Sequence, residues 1–402
     1  MTIQVVENGF DYSEMHERMQ FYIDSNILSC CSTLVMKGTE VVDHKTFGFM
    51  DLEDKQPLLE DAIYRMYSST KIVTSVALMM LFEEGKFELG DPVSKFIADF
   101  DRPRVLKPDA QTVKDTEEAL SPITISQLLS HSAGLSYGFI EPDSVIDQAY
   151  NDSGVNALGQ SGMDLEELCS VVARLPLAYQ PGTSWRYSFA TDVCARLVEV
   201  ISGRKFDEFL RERLFEPLNM RDTGFWVDES KMDRFVTMYA PTDIFDPMKP
   251  GLVQAEDPRS GPYASKPKFL SGGGGLVSTV SDYLSFLQMI VSGGSFNEVR
   301  ILKSETLELM RMNQLAPEVG VAFPMWSMPG TVFGLGFALK QSLAEGEPAG
   351  ALNEYHWGGM AGTHSWMSPS QGITGFCLTQ RMPGFWHPFS HEFKAHCYRI
   401  TR

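Results

Sequence analysis

The amino-acid sequence predicts an α+β protein in which one sheet is built from both chain ends and a mainly helical lobe is inserted between them. Three observations carry that prediction. Two strand-like segments, residues 31–37 and 41–49, lie near the start and are joined by Gly38-Thr39-Glu40 as a hairpin. Four more, residues 332–341, 354–358, 365–369 and 372–380, occupy the last third. The middle is dominated by helical apolar spacing, with no internal repeat and no low-complexity linker, so the chain reads as one folded unit.

The elements follow in order. Residues 15–27 read as a first helix ahead of the hairpin. A nearly unbroken apolar run from Ile72 to Phe82 reads as a buried helix that ends at Glu83-Glu84-Gly85, with glycine closing it. Further helices are predicted at 125–129, 165–175, 192–201 (closed by Gly203) and 206–214. A stretch rich in Pro, Asp and Gly, residues 243–268, reads as loop and leads to Gly272-Gly273-Gly274-Gly275, which feeds a helix at 281–291. After the C-terminal strands, residues 387–398 read as a terminal helix.

Composition narrows the function classes. With 402 residues, 43% apolar and 11% aromatic, the chain has ample material for a core, and 21% charged residues is too few for a disordered protein. A net charge of −18 argues against nucleic acid or an anionic membrane as partner. The first nineteen residues carry scattered acids and no apolar core, so they do not read as a signal peptide, and the run from Val76 to Phe82 is too short to span a bilayer. Cys30, Cys31, Cys169, Cys194, Cys377 and Cys397 show no Cys-x-x-Cys spacing and read as buried thiols of a cytoplasmic protein.

The chemistry centres on Ser68 and Lys71. At i and i+3 they stack on one face of the first turn of the buried helix, which carries the lysine into the interior. A desolvated lysine loses basicity and can take a proton from a neighbouring hydroxyl, which makes a serine nucleophilic without histidine. The competing reading is a helix N-cap serine with a lysine reaching out to solvent. Two other Ser-x-x-Lys matches, Ser202 to Lys205 and Ser265 to Lys268, lie at a glycine-marked helix end and in a Pro-containing loop, where that geometry fails.

Tyr187, after the Pro181-Gly182 turn and just before a helix, is the candidate proton relay, because a tyrosine near an ammonium can titrate low enough to act as base. Without other evidence the commoner reading is a core tyrosine that hydrogen-bonds outward. In His356-Trp357-Gly358-Gly359-Met360-Ala361-Gly362-Thr363 the paired glycines let a substrate approach the backbone and meet an N–H, or else mark a bend in the strand. Other catalytic motifs fail. Gly159-Gln160-Ser161-Gly162 is the nearest approach to a Gly-x-Ser-x-Gly elbow and has Met163 in place of the last glycine. His391 and His396 are spaced i, i+5, off one helix face and unsuited to zinc, and Gly272 to Gly275 lacks the Lys-Ser/Thr of a phosphate loop.

Together these residues resemble the serine β-lactamase and penicillin-binding-protein superfamily, in particular the family VIII carboxylesterases that look like class C β-lactamases. The resemblance spans nearly the whole chain. Besides Ser68-x-x-Lys71 it includes residues 81–86 with Leu89-Gly90-Asp91-Pro92, residues 128–135, residues 272–279 and Trp357-Gly358-Gly359. It implies an antiparallel sheet flanked by helices, with an α/β lobe of about 1–66 and 270–402 and a helical lobe of about 67–269. Two departures separate the chain from β-lactamases. Phe189 stands where they have Asn two residues after the tyrosine, and Trp357-Gly358-Gly359 stands where they have Lys-Thr-Gly.

Those departures remove two groups that recognise an amide bearing a carboxylate, and leave a cleft suited to neutral esters. The resemblance implies a cytoplasmic serine carboxylesterase of short-chain acyl esters, without metal or cofactor, its partner a small-molecule ester. Ser68 is the expected nucleophile, Lys71 and Tyr187 the proton relay, and the N–H groups of Ser68 and Met360 the oxyanion hole. In a His-x-Gly register the second N–H comes from Gly359. Tyr137, Phe189, His356, Trp357, Gly358 and Gly359 are the expected substrate contacts, with Tyr137 the alternative relay. The nearest rival is an acyltransferase on the same fold; a β-lactamase, a D-amino-acid peptidase and a non-catalytic binding domain follow.

Overall fold

The computed structural model describes residues 3–155, 162–324, 326–385 and 387–400. At its centre is an eight-stranded antiparallel sheet. In chain order its strands are β1 (Cys30–Lys37), β2 (Glu40–Asp51), β3 (Gln56–Pro57), β4 (Thr331–Phe333), β5 (Ala338–Lys340), β6 (Tyr355–Gly359), β7 (Thr363–Ser368) and β8 (Ile373–Leu378). Their spatial order is β4-β5-β6-β7-β8-β1-β2-β3. The last strand thus lies beside the first, with Ser32 opposite Leu378 and Lys37 opposite Ile373. The two chain ends form one sheet, as the distribution of strand-like segments predicts.

Both faces of this sheet are covered, and the alternation along its strands shows it. Leu34, Met367 and Phe376 point into the larger core, while their neighbours Val35, Trp366 and Cys377 point into a second one. The second core is capped by α1 (Ser13–Asp24) and α10 (Pro388–Ile400), which contribute Met15, Met19, Tyr22, Phe389 and Phe393. On the opposite face lies α2 (Thr70–Glu83), whose residues from Thr70 to Leu81 are all buried. A helix with no polar stripe has to be surrounded. The surrounding elements are α3 (Ile125–Leu129), α4 (Val145–Asp152), α5 (Leu165–Val172), α6 (Ala190–Ser202), α7 (Phe206–Leu210), α8 (Val280–Val291) and α9 (Ser304–Met310). Among these, α6 packs on α2, α3 and α5 and is the hub of the helical layer.

Four features depart from expectation. The single strand expected over 332–341 is a hairpin, β4 and β5, turned by residues 334–337, where the Gly334 N–H donates to Phe337 O at 2.8 Å. Gly336, at φ +95°, takes a backbone conformation that side-chain-bearing residues rarely adopt. Helices α4 and α9 fall where the sequence pattern predicts none. For α4 the overlooked signal is a cap, since the Ser144 side chain accepts from the Asp147 N–H at 3.3 Å. The loop-rich 243–268 stretch contains a strand, Leu252–Glu256, paired with Met238–Pro241. Finally, residues 159–161 of the nearest elbow motif lie outside the described residues. Among the described residues no helix is long and apolar enough to cross a membrane.

Gly375 on β8 tests how tightly the two-sided sheet is packed. A Cβ there would fall inside the Trp366 indole, which is fully buried. Gly375→Ala is expected to destabilise the protein by about 1–3 kcal/mol through overpacking. A urea unfolding series should show a lower midpoint at unchanged slope; an unaltered midpoint would mean that the indole moves aside at no cost.

Candidate active site

Ser68 lies in a single turn of 3-10 helix, Tyr67–Ser69, that runs directly into α2. The turn begins with strain, because Tyr67 has φ 43°. Several bonds hold it there. The Ser69 N–H donates to Met66 O at 3.1 Å, and the Thr363 hydroxyl, itself 2.9 Å from Ser69 Oγ, donates to Met66 O at 2.9 Å. From α8 the Tyr283 hydroxyl donates to Ser69 O at 3.0 Å. Gly359 at the end of β6 presses against the Met66 carbonyl so closely that a side chain there would collide with it. The turn that carries Ser68 is therefore clamped between the β6–β7 edge and the helical layer.

One turn into α2, Lys71 is 2% exposed. Its ammonium donates to Ser68 Oγ at 3.1 Å and to Gly273 O at 2.5 Å. It stands 4.5 Å from the Tyr187 ring centroid and 5.4 Å from that of Tyr137. Burial pulls its pKa down to about 7, against the opposing pull of the Asp192 carboxylate. Asp192, in the first turn of α6, is equally buried; burial raises its pKa while Lys71 and hydrogen bonds from the Ser271 hydroxyl (2.7 Å) and the Gly273 N–H (3.0 Å) lower it. The glycine run makes this approach possible. A Cβ on Gly273 would sit 2.6 Å from Asp192 Oδ2 and 2.9 Å from the Tyr137 hydroxyl, and one on Gly272 2.5 Å from Ala195 Cβ.

Tyr187 meets the same group from the other side. Its hydroxyl interacts with Ser68 and accepts from Trp357 Nε1 at 3.1 Å. Burial raises its pKa, and the Asp192 charge adds to that, while Ser68 and Trp357 oppose. This corrects the expectation of a low-titrating tyrosine: Tyr187 is a protonated phenol at neutral pH, and Lys71 is the group poised to ionise there. His131, 4.9 Å away ring to ring, buttresses it and is kept neutral by burial and by Lys71. Next in sequence, Arg186 pairs with Glu141 at 2.5 Å and with fully buried Asp147 at 2.9 Å, tying down the loop that carries Phe139 and Ile140.

Ser68 and Tyr187 open into a cavity of about 200 Å³. Gly358 and Met360 line it from the sheet, while Phe139, Ile140, Phe323, Pro324, Trp326 and Phe385 form an almost wholly apolar wall. Met360 rather than Gly359 thus borders the space next to Ser68.

Several expected contacts lie elsewhere. Phe189 is buried beneath Tyr137, rings 4.6 Å apart, and does not reach the cavity. Tyr137 is itself buried, its hydroxyl facing Gly273 and Asp192 below the cavity floor. Trp357 is 1% exposed and serves Tyr187 through its indole N–H. His356 points to the other side of the sheet, because it alternates with Trp357 along β6, and lines a separate cavity. Two parts of the site escape sequence reasoning, Asp192 and the aromatic wall. Asp192 is legible as a lone carboxylate inside an apolar helix face; the wall comes from short loops and from a two-residue-per-strand hairpin, where Phe323 pairs with Trp326, too short to give a periodic signal.

A Ser-x-x-Lys pair at a buried helix start, facing a tyrosine across an antiparallel sheet edge, defines the class of serine enzymes with a β-lactamase-like fold. The chain belongs to the Beta-lactamase family, whose model matches residues 26–393. It is 32% identical over 367 residues to Protein Rv1367c of Mycobacterium tuberculosis, covering 90% of this chain and 88% of the relative. To Esterase EstB of Burkholderia gladioli it is 30% identical over 360 residues, covering 86% and 84%. The fold matches that of EstCE1, described as a hydrolase with promiscuous acyltransferase activity, with TM-score 0.80, 23% identity and coverage of 96% and 98%. The chain is a serine hydrolase of this fold, with similarity to the family VIII esterases.

A base with a pKa near 7 gives a testable pH dependence. Lys71 accepts a proton only when neutral, so kcat/KM is expected to rise with pH through about 7. Asp192 holds the Lys71 pKa up, so Asp192→Asn should move this rising limb to lower pH. A pH profile of ester hydrolysis in which the limb stays in place, or moves upward, would detach the limb from Lys71.

Proposed function

We propose that the protein is a carboxylesterase acting on short-chain neutral acyl esters through an acyl-enzyme on Ser68. The observation that carries this reading is the 3.1 Å contact between Lys71 Nζ and Ser68 Oγ at the mouth of an apolar cavity. Neutral Lys71 takes the Ser68 proton, with the Tyr187 phenol hydrogen-bonded to the same oxygen. Ser68 Oγ bonds to the ester carbonyl carbon, and the N–H groups of Ser68 and Met360 hold the oxyanion. The carbon–alkoxy bond then breaks as Tyr187 gives its proton to the leaving oxygen and recovers it from Lys71. Water then gives a proton through Tyr187 to Lys71 as its oxygen bonds to the acyl carbon; the bond to Ser68 Oγ breaks, that oxygen takes the proton back from Lys71, and the acid leaves.

Similarity to EstB, an esterase, supports ester hydrolysis. The promiscuous acyltransferase activity of EstCE1 supports a second reading, transfer of the acyl group to an alcohol in place of water. Both use the same acyl-enzyme. Hydrolysis of a β-lactam fits less well. Phe189 and Trp357 occupy the two positions where the resemblance expects Asn and Lys, and the Trp357 N–H is engaged by Tyr187. Each polar substrate group left unpaired costs about 1–3 kcal/mol.

Ser68→Ala should abolish hydrolysis of p-nitrophenyl acetate and butyrate, and the parent should prefer these over nitrocefin in kcat/KM by about a hundredfold or more. Retained activity in Ser68→Ala would move the chemistry elsewhere, and an equal rate on nitrocefin would make the enzyme a β-lactamase. Lys71→Ala and Tyr187→Phe should each depress kcat strongly, and the double variant should be little worse than either, because the groups form one relay. Strictly additive losses in steady-state kinetics would show that they act separately.

A further inference from the structure

On the outer face of the sheet, beneath α10, lies a second cavity of about 280 Å³. It contains His356, which the sequence pattern assigns to the catalytic cleft, together with His364 from β7 and His391 from α10. His356 Nδ1 and His364 Nε2 are 3.5 Å apart, and the His364 and His391 ring centroids are 6.3 Å apart. Three imidazoles from three elements thus converge on one space. They are not placed for a metal: among the described residues no group of three or more His, Cys, Asp or Glu is arranged to hold an ion.

The hydrogen-bonding character of the space is lopsided. Its two carboxylates are already occupied. Glu354 accepts from Lys394 at 2.7 Å and from the Tyr398 hydroxyl at 2.6 Å. Glu347 is 2.6 Å from Lys340 Nζ and accepts from the Ala344 N–H at 2.7 Å. Each neutral imidazole brings one donor and one acceptor, so the surplus comes from the ammonium groups: Lys394 spends one N–H on Glu354, and Lys340 spends two, on Glu347 and on Pro329 O at 2.7 Å, which leaves N–H donors over on both. A ligand complementary to this lining is rich in acceptors and small. We propose that this histidine chamber is a second ligand site, distinct from the nucleophile's cavity, and that it binds a small carboxylate between His356, His364 and His391.

The charge balance gives the site a further property. With Lys340 against Glu347 and Lys394 against Glu354, the chamber lining has no net charge while its histidines are neutral. Burial and the Lys394 charge keep His356 and His364 well below the usual imidazole range, and desolvation and the Lys394 charge also lower His391 at the exposed rim, where Glu347 pulls the other way. An entering anion reverses that bias, so an imidazole takes up a proton on binding. Affinity must then rise as pH falls. The chamber also shares Trp326 and Phe385 with the catalytic cavity, two rings 5.0 Å apart that form the wall between them.

The experiment is a butyrate titration of the full-length protein carrying 13C at histidine Cε1, at pH 6 and at pH 8. Saturable shifts are expected at His356, His364 and His391, with affinity higher at pH 6 than at pH 8 because binding is linked to proton uptake. His364→Asn and His391→Asn should each weaken binding by about tenfold or more; the second variant, at an exposed position of α10, covers the case in which the first fails to fold. Shifts confined to His131, beneath Tyr187, would mean that butyrate occupies only the catalytic cavity and would overturn the proposal. So would the absence of saturation, an affinity independent of pH, or undiminished binding in a folded variant.

Discussion

The rest of the site depends on keeping the Lys71 ammonium out of water without giving it a full salt bridge. An unpaired buried ammonium is expensive, and a tightly paired one is a poor base. The structure lies between these limits. One carbonyl, Gly273 O, two aromatic faces and the electrostatic reach of Asp192 stabilise the charge, while burial opposes it strongly enough to bring the pKa to about 7. Everything around it follows. The helix that carries Lys71 has to be apolar on all sides, α6 has to present a carboxylate in its first turn, and the segment between them has to be glycine, because a Cβ at 272 or 273 would intrude on α6 or on Asp192.

Much of this is legible in the sequence, and the reasons are specific. The apolar run after Ser68 fixes α2 as a surrounded helix, and that alone places Lys71 in the interior. Strand-like segments at both ends point to a shared sheet, because β1 and β8 each read as short continuous apolar runs bounded by turns. What escapes is set by tertiary context. The direction of a side chain on β6 depends on register, so composition cannot assign His356 and Trp357 to faces. Phe189 and Tyr137 lie close to catalytic residues in sequence, which suggests cavity walls, but the packing of α4 and α6 buries both under the floor. The actual wall draws Phe139 from a loop held by the pair of Arg186 with Asp147, Phe323 and Trp326 from a short hairpin, and Phe385 from the segment before α10.

Tyr187 shows how sequence proximity can suggest the wrong chemical state. Proximity to a lysine suggests a phenolate, since a positive charge stabilises one. Burial outweighs that attraction, and Lys71 near pH 7 has already lost part of its own charge. A phenol that stays protonated is suited to hand a proton to a leaving group and recover it from Lys71. The division of labour follows from desolvation: of two buried groups of opposite charge type, the amine moves toward neutral pH and the phenol away from it.

Trp357 brings these strands together. At the place where the resemblance expects a lysine, the chain has an indole whose N–H bonds to the Tyr187 oxygen at 3.1 Å. A second ammonium there would have favoured a tyrosinate and drawn anionic substrates toward Ser68. An indole supplies a dipole instead, fixing the phenol's orientation without adding charge. Lys71, held near pH 7, is then the cation closest to Ser68 Oγ, and the surrounding cavity is lined by aromatic and aliphatic groups. Apart from Lys71, such a space offers a carboxylate no counter-charge, while its wall desolvates an ester's apolar chain. The proposed preference for neutral esters thus rests on the same residue that orients the Tyr187 phenol, because an indole in place of a lysine changes both at once.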